Sequence, residues 1–379
     1  RISVSLHCDG VCVVSCARRG ARALIPSLYL RGVSVRHIAL VGIEIIFIFF
    51  PTPARIWYGF KKVGASYEAD TYSETMSLRT ESFLVGLIGD GITSSLTPPM
   101  HEAEADAHGV RYLYRPVDLD ALNLDGASAP ALLDAAALLG FNAFNITHPC
   151  KQSVMEHLHE LSDAARALGA VNCVVIREDG TFYGDNTDYS GFIAGLKRGL
   201  PQVAEDPARL EHVVQLGAGG AGSATAYALC RLGVHHLSLF ERDAAKAQGL
   251  AEQLGGLFPQ TRIEVLTEDE RLIEALLEAQ GLVNATPVGM HVHPGMPLSD
   301  SALDAGVLRE GLWVADVIYL PQETQLVQVA RAAGCEVLTG GYMAVGQAVD
   351  AFRLFTELEP NAERMAAHFE ALIAAQQGV

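Results

Sequence analysis

The sequence predicts an α/β protein with two domains, each built on a parallel sheet. Its 379 residues exceed the size of one compact domain and suit two. Half of the residues are hydrophobic and only 19% are charged, so a large core can form and global disorder is excluded. From Phe83 onward, short apolar strands alternate with helices of about ten to fifteen residues, which is typical of βαβ units.

Residues 1–75 differ in composition from the rest of the chain. They carry a net charge of +4 against −21 for the remainder, and they show no sustained helical or strand period. The apolar run Ile38–Phe50 contains Glu44, is shorter than the roughly 20 residues of a membrane span, and lies too deep for a signal peptide. We interpret residues 1–75 as an extension outside the folded protein, upstream of a start near Met76. The alternative is a genuine membrane-tethering or targeting extension.

Charge and cysteine content exclude several classes of partner. A net charge of −17 repels phosphate backbones, and only 7% of residues are aromatic, so no nucleic acid is expected. The cysteines form no C-x-x-C pair, which predicts reduced thiols and a cytoplasmic protein rather than a disulfide framework. Cys8, Cys12 and Cys16 lack a partner His or Cys at ligand spacing, so no metal site is expected.

The first domain is predicted from strands and helices that alternate after Phe83. In order, these are the strand FLVGLIG (83–89), a helix ending at Gly109, the strand VRYLYRPVDL (110–119), a helix ending at Gly140 and the strand FNAFNIT (141–147). An amphipathic helix then runs from Pro149 to about Leu168. It is followed by the strand AVNCVVI (170–176) and a hairpin-like turn at 178–180.

A glycine-rich turn marks the second domain, which begins near Glu211. Gly217, Gly219 and Gly222 form G-x-G-x-x-G between an apolar strand and a helix that ends at Gly233. In dinucleotide-binding domains, these glycines permit the tight turn, the approach of the pyrophosphate and the close packing of helix on strand. The free N–H groups at the helix N-terminus then bind the anion. The pattern predicts a Rossmann doubly wound domain; the alternative is a glycine-rich turn without a ligand.

The next strand, HHLSLFE, ends at Glu241, where such domains contact the ribose. A carboxylate at this position accepts hydrogen bonds from ribose hydroxyls and repels a 2′-phosphate, which favours NAD as the cofactor. Arg242 could instead pair with that phosphate, so NADP stays the alternative. Lys246 is either a further cofactor contact or a solvated lysine on the helix face.

Lys151 and Asp188 are the candidates for proton transfer. Lys151 lies in the predicted first turn of a helix, where the positive end of the helix dipole disfavours the ammonium form. A neighbouring carboxylate would orient the amine. A base placed in this way can take the proton of an alcohol as hydride leaves its carbon. The alternative is that Lys151 is only a surface charge.

Six motifs, in order, resemble the shikimate/quinate dehydrogenase family: NITHPCK, GAVN, GDNTD, GAGGAG, NATPVGM and GQAVDAF. The resemblance extends from about Phe83 to the C-terminal region, and residues 1–75 have no counterpart in it. It implies a substrate-binding and catalytic domain at 76–188, a Rossmann NAD-binding domain at 189–341 and C-terminal helices at 342–379 that return to the substrate domain. The catalytic lysine and aspartate of the family fall on Lys151 and Asp188.

The resemblance also implies the residues of two binding sites. Ser95 and Thr97 would hold the carboxylate of the substrate, although both could simply cap a helix. The implied substrate contacts are Ser95, Thr97, Thr147, Lys151, Asn172, Asp188, Tyr319 and Gln347. The implied cofactor contacts are Gly217, Gly219, Gly220, Ala221, Gly222, Glu241, Lys246, Thr286, Val288, Val317 and Gly340. We interpret His148, within the lysine motif, as a structural neighbour rather than a base.

Thr97 stands where biosynthetic members of the family have a serine. Together with an acid at the ribose position, this is similar to the NAD-dependent quinate/shikimate branch. The implied reaction is oxidation of the carbon-3 hydroxyl of quinate or shikimate with NAD, without a metal, by a homodimer or monomer. Two alternatives stay open: an NADP-dependent shikimate dehydrogenase of aromatic amino-acid biosynthesis, and a non-catalytic sensor of the same ligands.

Overall fold

The computed structural model describes residues 82–376 in full and, before them, only the backbone of several strands. The chain divides into two units, Arg1–Met76 and Ser77–Val379. The side chains of Cys8, Cys12 and Cys16 lie outside the described residues, so the expectation about them stays a prediction.

The first unit contains strands that the sequence pattern did not predict. Strand β1 (Ile2–Leu6) pairs with β2 (Cys12–Cys16), and an antiparallel sheet follows in chain order: β3 (Ser27–Leu30), β4 (Val33–Leu40), β5 (Ile43–Phe49) and β6 (Ile56–Lys62). The apolar run Ile38–Phe50 is divided between β4 and β5, with Ile38 opposite Ile45. Runs of β-branched and aromatic residues favour strands even where no polar alternation marks them.

The first sheet of the second unit is mixed. Its parallel strands are β7 (Ser82–Gly89), β8 (Arg111–Asp118) and β9 (Ala143–Ile146), as the βαβ pattern predicts. The other strands are β10 (Glu160–Leu161), β11 (Cys173–Ile176) and β12 (Phe182–Asp185). Strand β11 runs antiparallel to β9 and to β12, with the predicted hairpin turn between β11 and β12. The order across the sheet is β10-β12-β11-β9-β7-β8.

Short helices connect these strands. They are α1 (Thr97–His108), α2 (Leu119–Leu122), α3 (Ala129–Leu138), α4 (Cys150–Ser153) and α5 (Asp163–Leu168). The glycines predicted to end two of the helices, Gly109 and Gly140, adopt φ values of +70° and +82°. Only glycine adopts such a backbone at little cost, which is why these helices stop there.

The single helix predicted from Pro149 to Leu168 is wrong. Helix α4 ends at Ser153, a 3₁₀ turn follows at Met155–His157, and β10 then pairs with β12. Ser162 caps the separate helix α5 by accepting the backbone N–H of Ala165 at 3.0 Å. Pairing of the backbone with a distant strand overrides the local helical period here.

The second sheet has the strand order of a doubly wound dinucleotide-binding domain. Its strands, all parallel, are β13 (His212–Leu216), β14 (His236–Phe240), β15 (Arg262–Leu266), β16 (Gly281–Asn284), β17 (Trp313–Asp316) and β18 (Glu336–Leu338). Their order is β15-β14-β13-β16-β17-β18. The topological switch point, where ligands bind in such sheets, lies between β13 and β16.

The helices of the second sheet follow its strands in alternation. After α6 (Asp188–Gly199) and α7 (Pro201–Glu205), which link the two sheets along the chain, come α8 (Gly220–Leu232), α9 (Ala244–Leu257), α10 (Asp269–Glu278), α11 (Asp300–Asp304) and α12 (Gln325–Ala332). Two apolar clusters pack between these helices and the sheet.

The C-terminal helices α13 (Gly340–Thr356) and α14 (Ala362–Gln376) return to the first sheet, as the resemblance implies. Phe352 of α13 is fully buried in a cluster that includes Val85 of β7. Phe369 of α14 packs in another cluster with Met100 of α1. In the described part of the chain, no helix is both long enough and apolar enough to cross a membrane.

Candidate active site

The topology brings several polar segments to one edge of the first sheet. The carboxyl ends of β7, β8, β9 and β12 meet at this edge, because these strands run in the same direction. The amino end of the antiparallel strand β11 lies there too. This edge therefore carries the loop before α1, the segment before α4, Asn172 and the start of α6. The sequence-predicted substrate residues from Ser95 to Asp188 lie in these segments or in the first turn of the helices that follow them.

Lys151 and Asp188 form an ion pair at this edge. The distance between Lys151 Nζ and Asp188 Oδ2 is 2.5 Å, and the side chains are 22% and 12% exposed. The other carboxylate oxygen, Asp188 Oδ1, accepts a hydrogen bond from Asn172 Nδ2 at 2.8 Å. The backbone N–H of Asp188 donates to Asn186 Oδ1 at 3.0 Å. The carboxylate is thus held on both oxygens, and it fixes the amine at a partly open position.

Asn172 is 3% exposed, and its amide is committed to protein partners. Besides Asp188, its Nδ2 donates to Thr187 Oγ1 at 3.1 Å, while its Oδ1 accepts the backbone N–H of Thr187 at 2.7 Å. The predicted contact with substrate hydroxyls therefore competes with these bonds. In this structure, Asn172 orients the aspartate.

Two further residues, connected to Asn172 by hydrogen bonds, were not predicted from the sequence to have a role in the site. The buried Tyr114 donates a hydrogen bond to Asn145 Oδ1, and Asn145 Nδ2 donates to the carbonyl of Asn172 at 3.3 Å. Tyr114 is 2% exposed, and burial raises the pKa of its hydroxyl. A tyrosine on an alternating strand gives no sequence signal of such a role.

Ser95 lies on the loop between β7 and α1, Thr97 is the first residue of α1, and both are half-buried. The backbone N–H of Thr97 donates to Ser95 Oγ at 3.3 Å, so the serine oxygen accepts this bond and its hydroxyl hydrogen can serve another acceptor. Neither side chain is the N-cap of α1, because Leu96 occupies that position.

Thr147 and His148 follow β9 directly. The Thr147 methyl group lies so close to Gly89 that a Cβ there would approach it to 2.2 Å, which explains glycine at that position. His148 is exposed, and its carbonyl accepts the backbone N–H of Asp90 at 2.9 Å. The backbone of His148 thus connects the loop after β9 to the loop after β7 by a hydrogen bond.

Tyr319 and Gln347, the remaining predicted substrate residues, lie in the C-terminal half of the chain. Gln347 of α13 lies beside the first turn of α6: a Cβ on Gly191 would be 2.4 Å from its backbone nitrogen. Its Nε2 donates to Ala344 O at 3.1 Å. The half-buried Tyr319 packs against Phe369, with 6.0 Å between ring centroids.

The glycine loop (217–222) connects β13 to α8 at the edge of the second sheet. Gly217 has φ +94°, and a Cβ on Gly222 would lie 2.4 Å from Gly217 O. A Cβ on Gly219 would meet only Lys246 Nζ, at 3.7 Å, and one on Gly220 would meet nothing within 4 Å. The space above Gly219 and Gly220, at the N-terminus of α8, is therefore open, and this geometry fits a pyrophosphate.

A buried glutamine stabilises the glycine loop from below, and the sequence analysis missed it. Gln215 is 0% exposed, and its Nε2 donates to the carbonyls of Gly217 (2.9 Å) and Gly222 (2.8 Å). Its Oε1 accepts a hydrogen bond from Thr225 Oγ1 at 2.8 Å. A polar residue inside an apolar strand was the available signal, since buried amides need partners.

Glu241 lies at the end of β14 and contacts the glycine loop. Its carboxylate accepts the backbone N–H groups of Ala218 (3.0 Å) and Asp243 (3.3 Å). Burial by itself raises the pKa of Glu241, but these backbone donors and Lys246 lower it below its usual value. Arg242 and Lys246 are both exposed.

The other predicted cofactor residues follow the carboxyl ends of β16, β17 and β18. The Thr286 methyl group would be 3.0 Å from a Cβ on Gly217, and the backbone N–H of Val288 donates to Thr286 Oγ1 at 3.2 Å. Val317 O would be 2.4 Å from a Cβ on Gly340, so glycine is required for this close approach. Thr286 and Val288 therefore lie by the switch point, whereas Val317 and Gly340 lie against each other after the next two strands, β17 and β18.

Asp316 supports this end of the second sheet. It is 2% exposed and accepts hydrogen bonds from Thr324 Oγ1 (2.7 Å), the backbone N–H of Ile318 (3.1 Å) and Asn284 Nδ2 (3.1 Å). Burial raises the pKa of Asp316 to about 6. Within residues 82–376, no group of three or more His, Cys, Asp or Glu side chains is placed to hold a metal ion.

Comparisons with known proteins bear on the family of this chain. Residues 87–174 match the profile of the shikimate dehydrogenase substrate binding domain. A shikimate dehydrogenase (NADP(+)) of Pseudarthrobacter chlorophenolicus is 57% identical over 302 residues, which cover 80% of this chain and 99% of the relative. A quinate/shikimate dehydrogenase (NAD(+)) of Corynebacterium efficiens is 49% identical over 293 residues, which cover 77% of this chain and 99% of that protein.

A solved structure shows the same architecture. Quinate dehydrogenase from Corynebacterium glutamicum in complex with NAD has a TM-score of 0.70 to this chain and 46% sequence identity, covering 76% of this chain and 99% of that one. The two-domain α/β fold and the resemblance of the six motifs are thereby confirmed. The chain belongs to the shikimate/quinate dehydrogenase family.

Proposed function

We propose that the protein is an NAD-dependent quinate/shikimate dehydrogenase with Lys151 and Asp188 as its catalytic pair. The observation that carries the proposal is the 2.5 Å contact between Lys151 Nζ and Asp188 Oδ2, at the edge of the first sheet where the carboxyl ends of its parallel strands meet. The relatives named above act on quinate or shikimate by their names, and the same chemistry suits this pair. Residues 76–188 and 342–379 would bind the acid, with Tyr319 as a further contact, and residues 189–341 would bind the dinucleotide.

The residues of the glycine loop fit a dinucleotide. Open space above Gly219 and Gly220 admits a pyrophosphate, and the first N–H groups of α8 are free to bind it, because a helix N-terminus has no internal partners for them. Thr286, Val288, Val317 and Gly340 would then surround the nicotinamide. When bound, the dinucleotide supplies the hydride acceptor.

The residues for substrate binding and proton transfer lie mainly on the loops and helices at the edge of the first sheet. The hydroxyls of Ser95 and Thr97 hold the carboxylate of quinate or shikimate, while Thr147, Asn172, Tyr319 and Gln347 surround the ring. Lys151, in its neutral form, takes the proton of the carbon-3 hydroxyl as the hydride leaves the same carbon, which gives 3-dehydroquinate or 3-dehydroshikimate. Asp188 stabilises the resulting ammonium and holds it in place, and Asn172 keeps the carboxylate oriented.

The preference for NAD rests on Glu241. Its carboxylate lies against the glycine loop and would accept the ribose hydroxyls while repelling a 2′-phosphate. A second candidate is NADP-dependent shikimate oxidation or reduction. The relative at 57% identity is named for NADP(+), and the exposed Arg242 and Lys246 could bind the phosphate.

A steady-state assay with two acids and two dinucleotides tests both candidates. We expect quinate and shikimate to be oxidised, with kcat/KM at least about tenfold higher for NAD than for NADP, which corresponds to about 1.4 kcal/mol. A preference for NADP together with inactivity on quinate would support the second candidate. Tight binding of either acid without any reduction of dinucleotide would instead favour a ligand sensor.

A further inference from the structure

We propose that Asp118 is a positioning residue for substrate recognition: it fixes the loop that presents Ser95 and Thr97 to the carboxylate of the substrate. This inference rests on the proposed function, because it assigns the carboxylate to those two hydroxyls. Asp118 lies at the carboxyl end of β8, an edge strand, and it belongs to none of the motifs that the sequence analysis singled out.

The carboxylate of Asp118 accepts three hydrogen bonds from the loop. The backbone N–H of Gly91 donates to Oδ1 (3.0 Å), and the backbone N–H of Ile92 (3.0 Å) and the hydroxyl of Thr93 (2.8 Å) donate to Oδ2. Asp118 is only 9% exposed, although Gly91 and Thr93 are themselves exposed. Hydrogen bonds to an ionised acceptor are the stronger kind, so this side chain is a firm anchor for three successive residues.

The anchor is connected to the predicted carboxylate site by two further hydrogen bonds. The backbone N–H of Ser95 donates to Ile92 O at 3.0 Å, and the backbone N–H of Thr97 donates to Ser95 Oγ at 3.3 Å. The N–H of Ile92 therefore donates to Asp118, and the carbonyl of Ile92 accepts from Ser95. Asp118 thus influences the position of the Ser95 hydroxyl through the backbone of Ile92.

Only a carboxylate satisfies this arrangement. The loop offers two N–H donors and a hydroxyl to two oxygens, and the hydroxyl of Thr93 together with these amides lowers the pKa of Asp118. An asparagine would keep one oxygen, but its NH₂ group would face an N–H donor of the loop, and the two donors would repel each other. The loop would then shift without any change at Lys151 or in the glycine loop.

The test is Asp118→Asn, with Asp120→Asn as the matched control. Asp120 is an exposed carboxylate two residues further on, and within residues 82–376 no donor of the loop bonds to its side chain. We expect Asp118→Asn to raise KM for shikimate or quinate about tenfold or more, with kcat within about threefold and KM for NAD unchanged. Asp120→Asn, which removes the same charge, should leave all three constants within about twofold.

The methyl ester of the same acid separates positioning from a general structural effect. The ester keeps the ring hydroxyls but lacks the negative charge, so its already high KM should change less than about twofold in Asp118→Asn. Equal increases for acid and ester, or a parallel increase in KM for NAD, would overturn the proposal. An unchanged KM for the acid would also overturn it.

A milder variant keeps the test valid if Asp118→Asn folds poorly. Thr93→Val removes one donor on the exposed side of the loop and should raise KM for the acid about threefold, again without effect on the ester. An unchanged KM here counts against the proposal as well. Wild-type enzyme that oxidises neither acid contradicts the proposed function itself, whereas active wild type with unaffected variants contradicts only the role of Asp118.

Discussion

The edge of the first sheet and the edge of the second sheet carry the two halves of the candidate site, and they are built in different ways. At the first edge, side chains that are far apart in the sequence bond to one another: Lys151 to Asp188, and Asp188 to Asn172. At the second edge, the shape of the site is set mainly by backbone conformation. Gly217 adopts φ +94°, and Gly222 touches Gly217 so closely that a side chain has no room.

The two halves should therefore respond differently to substitution. A polar network loses its chemistry when one functional group is removed, while the backbone around it stays in place. A loop of glycines contains no functional group to remove, and it fails when a methyl group fills the space that the ligand needs.

Lys151→Ala should lower kcat by about a thousandfold, since positioned acid–base groups contribute roughly 10² to 10⁴ in rate. The dissociation constant for NAD, measured by titration of protein fluorescence, should stay within about twofold. The described hydrogen bond of the Lys151 side chain is to Asp188 and not to the glycine loop. Lys197→Ala, an exposed lysine on α6, is the control and should keep full turnover. Normal turnover of Lys151→Ala would remove the lysine from the mechanism.

Asp316→Asn should change the pH dependence of stability by up to about 3 kcal/mol between pH 4 and pH 7. In the folded protein, burial raises the pKa of Asp316 to about 6, so the native state binds more protons than the unfolded state between that value and the ordinary 3.8. Asp316 therefore contributes stability below pH 4 that is lost as the pH rises through 6.

Urea unfolding of wild type and Asp316→Asn at several pH values checks this sign. The variant should be more destabilised relative to wild type at pH 4 than at pH 7, because wild type loses its advantage as Asp316 ionises. A difference in unfolding free energy that does not vary with pH would show that the carboxylate does not titrate in this window.

Gly219→Ala should raise KM for NAD about thirtyfold, a loss of roughly 2 kcal/mol. A Cβ there meets only the flexible end of Lys246, and Gly219 has φ −74°, so the protein should fold normally. The added methyl group would occupy the space of the pyrophosphate. Gly249→Ala, on the open face of α9, is the matched control and should keep KM while gaining up to about 1 kcal/mol of stability.

Glu241→Gln should shift the ratio of kcat/KM for NADP over NAD by about tenfold towards NADP, because the amide no longer repels a 2′-phosphate. The effect is the smallest of the four, since the neutral side chain can still accept one hydrogen bond from the ribose. Glu270→Gln on α10 serves as the control for a change of net charge. An unaltered ratio would mean that Arg242 or Lys246, rather than Glu241, selects the dinucleotide.

Sequence patterns predicted the second edge better than the first. The glycine spacing and the strands beside it are local features. They can be recognised from the sequence because glycine is the one residue type that readily adopts positive φ. Gln215 is the exception: a polar residue inside an apolar strand indicates that it needs partners, but those partners, Thr225 and two carbonyls of the glycine loop, follow from no local pattern. At the first edge, the resemblance named Lys151 and Asp188, but the helix predicted after Pro149 was wrong, because β10 pairs with a strand more than twenty residues away.

Local sequence patterns suffice to predict the alternation of strands and helices, the glycine loop and the residue types available for proton transfer, since these depend on short-range periodicity and on the conformational range of single residues. Which groups meet depends on tertiary packing. Lys151 and Asp188 are 37 positions apart, and Asp118 reaches a loop 25 to 27 residues before it. Such contacts depend on strand order and direction, which are set by packing of the whole sheet rather than by any local segment.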